Sequence, residues 1–280
     1  MTAIETADRE DRHEGPPGLA DVHTHVIPGV DDGAPDLESA LDTLEGLFKD
    51  GITTVVGTPH LNASNLAGKR RARADQSWPQ LLQLTGERLP ELKLFRGYEI
   101  RLDTPDLDLS DSELRLAGSR FALVEFLAFT IPTRSAEVLG RIGANGHVPI
   151  VAHPERYWGY DRNFSIIPEW RAAGALLQLN AGSLLGEYGD NIKVMAHRFL
   201  REGWVDVIAS DNHARPGRCL SLRLAWDYLV SRELQAEAGL LLFTNPLRIL
   251  RDEMPLGVGQ AEFRGGLFSR LARALKRNRA

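Results

Sequence analysis

The feature that most constrains the fold of this chain is a repeated unit. A short apolar, β-branched run is followed by one or two imidazole or carboxylate residues and then by an amphipathic segment. Seven runs are predicted as strands, over residues 19–22, 53–57, 92–96, 121–124, 149–152, 176–179 and 205–209, and all but the run 176–179 lead to such residues. Between them Leu37, Leu41, Leu44 and Phe48 recur at helical spacing after Pro35-Asp36, and Asp50-Gly51 closes that segment. Helices are also expected over 78–89, 135–144, 168–173, 192–202 and 220–229, with a last short one over 247–253 after Asn245-Pro246. Alternation of this kind argues for a parallel sheet wrapped by helices, so the expected class is α/β, a TIM-like distorted (β/α)7 barrel. In such a barrel the residues just past the C-terminal ends of the strands converge on one mouth.

The 280 residues suffice for one barrel with a sizeable core. Residues 1–18, polar and ending in Gly15-Pro-Pro-Gly18, are expected to be a flexible leader, 19–254 the barrel, and 255–280 a linker with a basic tail. That tail carries Arg264, Arg270, Arg273, Lys276, Arg277 and Arg279, while Leu267, Phe268, Leu271 and Leu275 would line one helical face. It suits peripheral contact with an anionic membrane or an acidic partner, and equally a solvated helix covering the barrel edge. The net charge of −5 gives no general attraction to nucleic acid. A single cysteine, Cys219, excludes an internal disulfide framework and fits a reducing compartment. No apolar run approaches the roughly 18 residues of a membrane span, and no signal segment is visible, so a cytoplasmic protein is expected, with the inner membrane face within reach of its tail.

Asp21-Val-His-Thr-His25 puts two imidazoles at i and i+2, on one side of an extended backbone. Thr58-Pro-His60, Gly97-Tyr-Glu99, Val124-Glu125, Ala152-His153 and Ser210-Asp-Asn-His213 each place a potential ligand after an apolar run, and Asp32 lies in the turn Asp31-Asp32-Gly33. His23, His25, Asp32, His60, Glu99, Glu125, His153, Asp211 and His213 would therefore meet at one rim. Crowded together, these groups repel and desolvate one another unless cations compensate them, which predicts two or three divalent metal ions. Mixed nitrogen and oxygen ligands suit Mn²⁺, Zn²⁺ or Fe²⁺ better than Ca²⁺ or Mg²⁺. Single histidines are more often structural, and His13, His147 and His197 are read that way. Cys219 precedes an apolar helix without a glycine-rich phosphate loop, so it is read as packing, and Ala181-Gly-Ser183 is no nucleophile elbow.

These segments resemble the polymerase and histidinol phosphatase (PHP) superfamily, and within it the bacterial metal-dependent protein-tyrosine phosphatases of the CpsB/YwqE type from capsule and exopolysaccharide operons. The resemblance rests on Asp21 to Gly33 (DVHTHVIPGVDDG), Thr58-Pro-His60, GYEI from Gly97, Val124-Glu125-Phe126, AHPERY from Ala152, QLNAGS from Gln178, ASDNH from Ala209, and Asn245-Pro246. It implies a trinuclear centre, with Mn²⁺ first among the candidate metals and Fe or Zn as alternatives. His23, His25, Glu99 and Asp211 would hold one ion, Glu99, Glu125 and His153 a second, and Asp32, His60 and His213 a third. Arg156 and Arg218 would bind substrate phosphate, and either a metal-linked water or His60 would supply acid assistance. The implied reaction is hydrolysis of phosphotyrosine through a metal-generated hydroxide. The implied substrate is a tyrosine-phosphorylated protein such as a tyrosine kinase of polysaccharide export, and oligomers are compatible with the pattern. Alternatives are a small-molecule phosphoesterase of the histidinol-phosphatase kind and a membrane-associated adaptor with a structural metal site. Residues 61–65, Leu-Asn-Ala-Ser-Asn, depart from the pattern in a loop expected to border the substrate.

Overall fold

A computed structural model of the chain describes residues 18–214 and 221–263. Arg218, Cys219, most of the expected leader and the basic tail lie outside the described residues. Each predicted strand forms, and all are parallel: β1 (Leu19–Thr24), β2 (Ile52–Gly57), β4 (Lys93–Arg96), β6 (Phe121–Glu125), β7 (Val148–Ala152), β8 (Leu176–Asn180) and β9 (Val207–Ala209). Two further strands were not expected, β3 (His60–Asn62) and β5 (Glu99–Arg101). They continue β2 and β4 beyond a break, so the seven staves of the barrel are drawn by nine strands. Pro59, which has no N–H to give a ladder, interrupts one stave and Gly97 the other. The two breaks are neighbours, because Gly97 N donates to Gly57 O at 3.0 Å and Glu99 N to Pro59 O at 3.2 Å.

The strands therefore fall into a sheet ordered β1-β2-β4 and one ordered β3-β5-β6-β7-β8-β9. First and last strands meet through a parallel bridge between Thr24 and Asn212, with His25 N on Asn212 O at 2.7 Å and Asp211 N on His23 O at 2.9 Å. Side chains alternate with a period of two across this wall. Val56, Phe121, Leu123, Ile150, Leu176 and Val207 pack together inside the barrel, whereas Val55, Val124, Val151 and Leu177 pack outward with the helices. Following the inner face upward, Phe121 and Leu123 lead to Glu125, and Leu176 leads to Gln178 and Asn180. Each stave thus spends its lower inward positions on an apolar plug and its upper ones on polar groups.

The helices keep the expected order. Helix α1 (Leu37–Lys49) is capped by Asp36, whose side chain accepts from Ser39 N at 2.8 Å, and it buries Ala40, Leu41, Leu44 and Leu47. Helix α2 (Lys69–Arg88) starts at Lys69 rather than at Trp78. Its first half is so polar that Ala74 is the only residue buried there, so the apolar periodicity that marks a helix begins late. Next come α3 (Ser135–Ala144), α4 (Ile166–Ala172), a short α5 (Ala181–Leu185) that was not expected, α6 (Asp190–Arg201) and α7 (Ser221–Ser231). The short α8 (Gln235–Gly239) and a π-helical turn at Leu240–Thr244 run into α9 (Asn245–Leu250). No helix among the described residues is long and apolar enough to cross a membrane.

Candidate metal centre

All nine predicted ligands come to the C-terminal mouth of the barrel. His23 lies on β1 and His25 just beyond it. His60 and Glu99 open the two strand continuations β3 and β5, and Glu125 ends β6. His153 and Asp211 follow β7 and β9 with left-handed backbones, φ 36° and 54°, a conformation that costs a non-glycine residue energy and turns each side chain back over the mouth. Asp32 and His213 sit on the rim, with Asp32 the exposed member of the set.

Three groups of ligand atoms are compact enough to hold an ion: His23, His25, Glu99 and Asp211; His60, Glu99 and Glu125; and His25, Asp32, His60 and His213. In the first, His23 Nε2 lies 3.3 Å from His25 Nε2, 3.2 Å from Glu99 Oε2 and 3.3 Å from Asp211 Oδ1. His25 Nε2 lies 3.4 Å from Glu99 Oε2 and 3.3 Å from Asp211 Oδ1. A tetrahedron of ligands at about 2.05 Å from a central ion has edges of about 3.3 Å, so these five edges match a first-row divalent cation. The grouping differs in detail from the one the resemblance implies. His60 approaches Glu99 and Glu125, at 2.9 and 3.2 Å, as well as the rim group, while His153 Nε2 reaches Glu99 Oε1 at 2.8 Å and Glu125 Oε2 at 3.8 Å.

Hydrogen bonding also points to cations. Glu99 Oε2, His60 Nδ1 and His153 Nδ1 are buried and make no hydrogen bond. Glu99 Oε2 and His60 Nδ1 are close, yet no N–H is aimed along the line between them, which is the geometry of two lone pairs converging on a shared positive charge. The electrostatics have the same sense. Burial opposes the charge on Glu99, but the imidazoles of His23 and His60 hold its carboxyl well below the usual range. Asp211 is likewise depressed against burial by His23 and His25. Burial lowers His60 less than Glu99 and Glu125 raise it, leaving it at about 9, whereas burial and the neighbouring His25 push His213 down to about 4.

Arg156 is the one substrate-binding candidate among the described residues, and it is rigidly set. Its guanidinium lies 4.5 Å from the ring centres of both Phe129 and Tyr188, and Nη1 donates to Asp211 Oδ2 at 3.0 Å. Those rings, with Arg101 and the ligands, line a cavity of about 180 Å³ above the cluster. Sequence reasoning gave no role to several residues that brace it. Asp31 contacts His25 Nδ1 at 2.7 Å. Gln178 Oε1 lies 2.9 Å from His23 Nδ1, Gln178 Nε2 donates to Asn180 Oδ1, and Asn180 Nδ2 donates to Asp211 Oδ2, both at 2.8 Å, so one polar chain on β8 fixes ligands from the first and last strands. Gly33 lets the turn lie flat on His25, since a Cβ there would stand 2.1 Å from the His25 carbonyl oxygen. His147 and His197 lie away from the mouth, as expected of structural histidines: His147 contacts Arg115, and His197 stacks on Tyr228.

A parallel barrel with imidazoles and carboxylates gathered at the C-terminal ends of its strands is the build of a metal-dependent hydrolase. The chain belongs to the capsular polysaccharide synthesis CpsB/CapC family, whose model matches residues 19–251. It is 29% identical to the tyrosine-protein phosphatase YwqE of Bacillus subtilis, over 84% of this chain and 92% of that protein. It is 28% identical to the putative tyrosine-protein phosphatase CapC of Staphylococcus aureus, over 81% and 92%. Among solved structures it is similar to the metal-dependent tyrosine phosphatases YwqE from B. subtilis and CpsB from Streptococcus pneumoniae, with a TM-score of 0.72, 25% identity, and coverage of 87% of this chain and 99% of the other. An organophosphorus hydrolase variant from Deinococcus radiodurans, 16% identical at a TM-score of 0.50 over 84% of this chain and 93% of that one, shares the fold alone.

Proposed function

We propose that the chain is a metal-dependent, non-cysteine protein-tyrosine phosphatase that serves capsule or exopolysaccharide synthesis in the cytoplasm. The observation that carries the hydrolytic half of this reading is the set of inter-ligand distances of 3.2 to 3.4 Å among His23, His25, Glu99 and Asp211. The phosphotyrosine half is supported by the relatives, which are named tyrosine phosphatases. His23, His25, Glu99 and Asp211 would hold one divalent ion, Glu125 with His60 or His153 a second around the bridging Glu99, and Asp32, His60 and His213 a third, with Mn²⁺ as the proposed metal. Bound there, such ions supply Lewis acidity and lower the pKa of water they hold.

The chain's own residues do the rest. Arg156, clamped by two rings, presents its planar fork to the phosphoryl oxygens, and preorganisation means that no reorientation is needed as charge develops on them. Asp211 keeps that guanidinium turned toward the cluster. The cavity of about 180 Å³ has room for a phosphoryl group, and the tyrosine ring of such a substrate would lie near Phe129 and Tyr188 in its wall. A phenolate, whose conjugate acid has a pKa of about 10, leaves more readily than a serine alkoxide, so His60 can serve as a ligand without being required as an acid. The proposed substrate is a tyrosine-phosphorylated protein, such as a tyrosine kinase of polysaccharide export.

The decisive experiment compares phosphate release by Mn²⁺-loaded protein from phosphotyrosine peptides, phosphoserine peptides and histidinol phosphate. A kcat/KM highest for phosphotyrosine peptides is expected. A higher value for histidinol phosphate would replace the reading with a small-molecule phosphoesterase. No release from any of them would leave an adaptor with a structural metal site.

A further inference from the structure

Beside the metal centre lies a second and larger cavity, of about 430 Å³, lined by Leu61, Asn62, Asn65, Gly68, Lys69, Arg70 and Arg101. Arg101 belongs to the walls of both cavities, so the two adjoin. Its floor is the loop 61–65 that departs from the family pattern, and its far side is the start of α2.

The charges in this cavity are of one sign. It contains Lys69, Arg70 and Arg101 and no acidic side chain. Arg101 is committed in part, with Nε on Glu125 Oε1 at 2.6 Å. Lys69 and Arg70 form no ion pair with any described residue. The contrast with the next residue of the same helix is sharp, for Arg71 pairs with Asp75, Asp111 and Glu113. Lys69 is exposed and Arg70 half-buried, so in the free protein both are solvated and stand available to a negative charge brought by a partner. The first turn of α2 adds no acidic residue to offset them.

We propose that this cavity is a specificity subsite that receives an aspartate or glutamate of the substrate polypeptide close to the phosphotyrosine. This rests on the phosphotyrosine reading of the adjoining site. A volume of about 430 Å³ accommodates one or two side chains but no folded element. Because the cavities share a wall residue, their centres are on the order of 10 Å apart, the span of about three extended residues. The acidic residue therefore lies within three positions of the phosphotyrosine. Lys69 and Arg70 attract it as exposed or half-buried cations, which improves binding and encounter more than the chemical step.

The test uses full-length, Mn²⁺-loaded protein and phosphotyrosine peptides that carry Glu, Gln or Lys at each of the three positions on either side. Glu should raise kcat/KM over Gln at one or more positions, Lys should lower it, and the preference should shrink with added salt. A Lys69→Ala/Arg70→Ala variant should lose roughly five- to tenfold in kcat/KM for the Glu peptide, mainly through KM, and nothing on para-nitrophenyl phosphate. Equal rates for Glu, Gln and Lys peptides on the natural protein overturn the proposal, whatever the variant does. So does a loss of equal size on the small aryl phosphate, which would mark the two residues as structural. A gain from a second phosphotyrosine but none from Glu would also overturn it, since the subsite would then read phosphate. Hydrolysis of phosphotyrosine without any charge preference sinks the subsite alone, whereas no hydrolysis of any phosphotyrosine substrate sinks the parent reading with it.

Discussion

His25 Nδ1 donates to Asp31 Oδ2 at 2.7 Å, and the same oxygen accepts the backbone N–H of His60 at 2.8 Å. The direction of the first bond follows from charge. Burial opposes ionisation of Asp31, yet His25 and the His60 N–H hold its carboxyl far below the usual range, so it can only accept. With Nδ1–H so engaged, the neutral imidazole of His25 would present a bare Nε2 to the cluster. One buried oxygen thus sets both the tautomer of one ligand and the backbone of another.

Asp31→Asn is expected to weaken metal affinity by roughly 10- to 100-fold, because an amide can offer Nδ1 a donor as readily as an acceptor. Titration of the stripped variant with Mn²⁺, followed calorimetrically, measures this, and activity should return at high metal concentration.

His23→Ala and Asp211→Ala each remove a vertex of the tetrahedral set. Turnover should fall by orders of magnitude while the far-ultraviolet circular dichroism stays native, since these groups sit above an apolar plug that packs without them.

Arg156→Lys keeps the charge but loses the planar fork and the stacking between Phe129 and Tyr188. A fall in kcat/KM of roughly 100-fold on an aryl phosphate is expected, as for loss of a preorganised donor to developing oxyanion charge. Equal loss in binding of inorganic phosphate as a competitive inhibitor would show that the group grips the ground state as well.

Chelation should abolish activity and also lower Tm. A bound ion at a hundred times its dissociation constant stabilises a fold by about 2.7 kcal/mol, and the buried carboxylates here would lose that counter-charge. Scanning calorimetry with and without chelator gives the difference.

His197 provides a pH signature away from the metal. Burial, with Lys193, Arg201 and Arg232 nearby, pushes it down to about 4 from an ordinary 6.5, and its Nε2 lies 3.0 Å from Tyr228 Oη. As pH falls from 6.5 toward 4, the unfolded chain takes up a proton that the folded one refuses. Its contribution to stability is thus intact above pH 6.5, declines across that window and is constant below it. Tm of the natural protein should therefore drop more steeply between pH 6.5 and 4 than that of His197→Gln.

The barrel was legible because parallel strands buried on both faces read as apolar runs, and because six of the seven runs led to a ligand-type residue. Phe121-Ala-Leu-Val-Glu125 shows why this works, since period-two alternation carries the inner face directly from plug to ligand. The breaks at Pro59 and Gly97 were not legible as strand continuations. His60–Asn62 and Glu99–Arg101 are three residues long and gain their ladder only from each other and from β6. Helix α2 began earlier than expected because its first turns bury little apolar surface. The support of the ligands by Asp31, Gln178 and Asn180 was invisible for another reason: each is an ordinary polar residue until the fold brings a histidine or aspartate, six residues away for Asp31 and far along the chain for the other two, to within 3 Å.

The seam at which Thr24 meets Asn212 gives the molecule an assembly schedule. His23 and His25 emerge early in synthesis and Asp211 and His213 late, so the two groups that include them are incomplete until nearly the entire barrel has left the ribosome. An ion held there would act as a clasp between the first and last strands. Loss of that ion should loosen the first and last staves before any other pair, and hydrogen exchange in β1 and β9 would register the opening first.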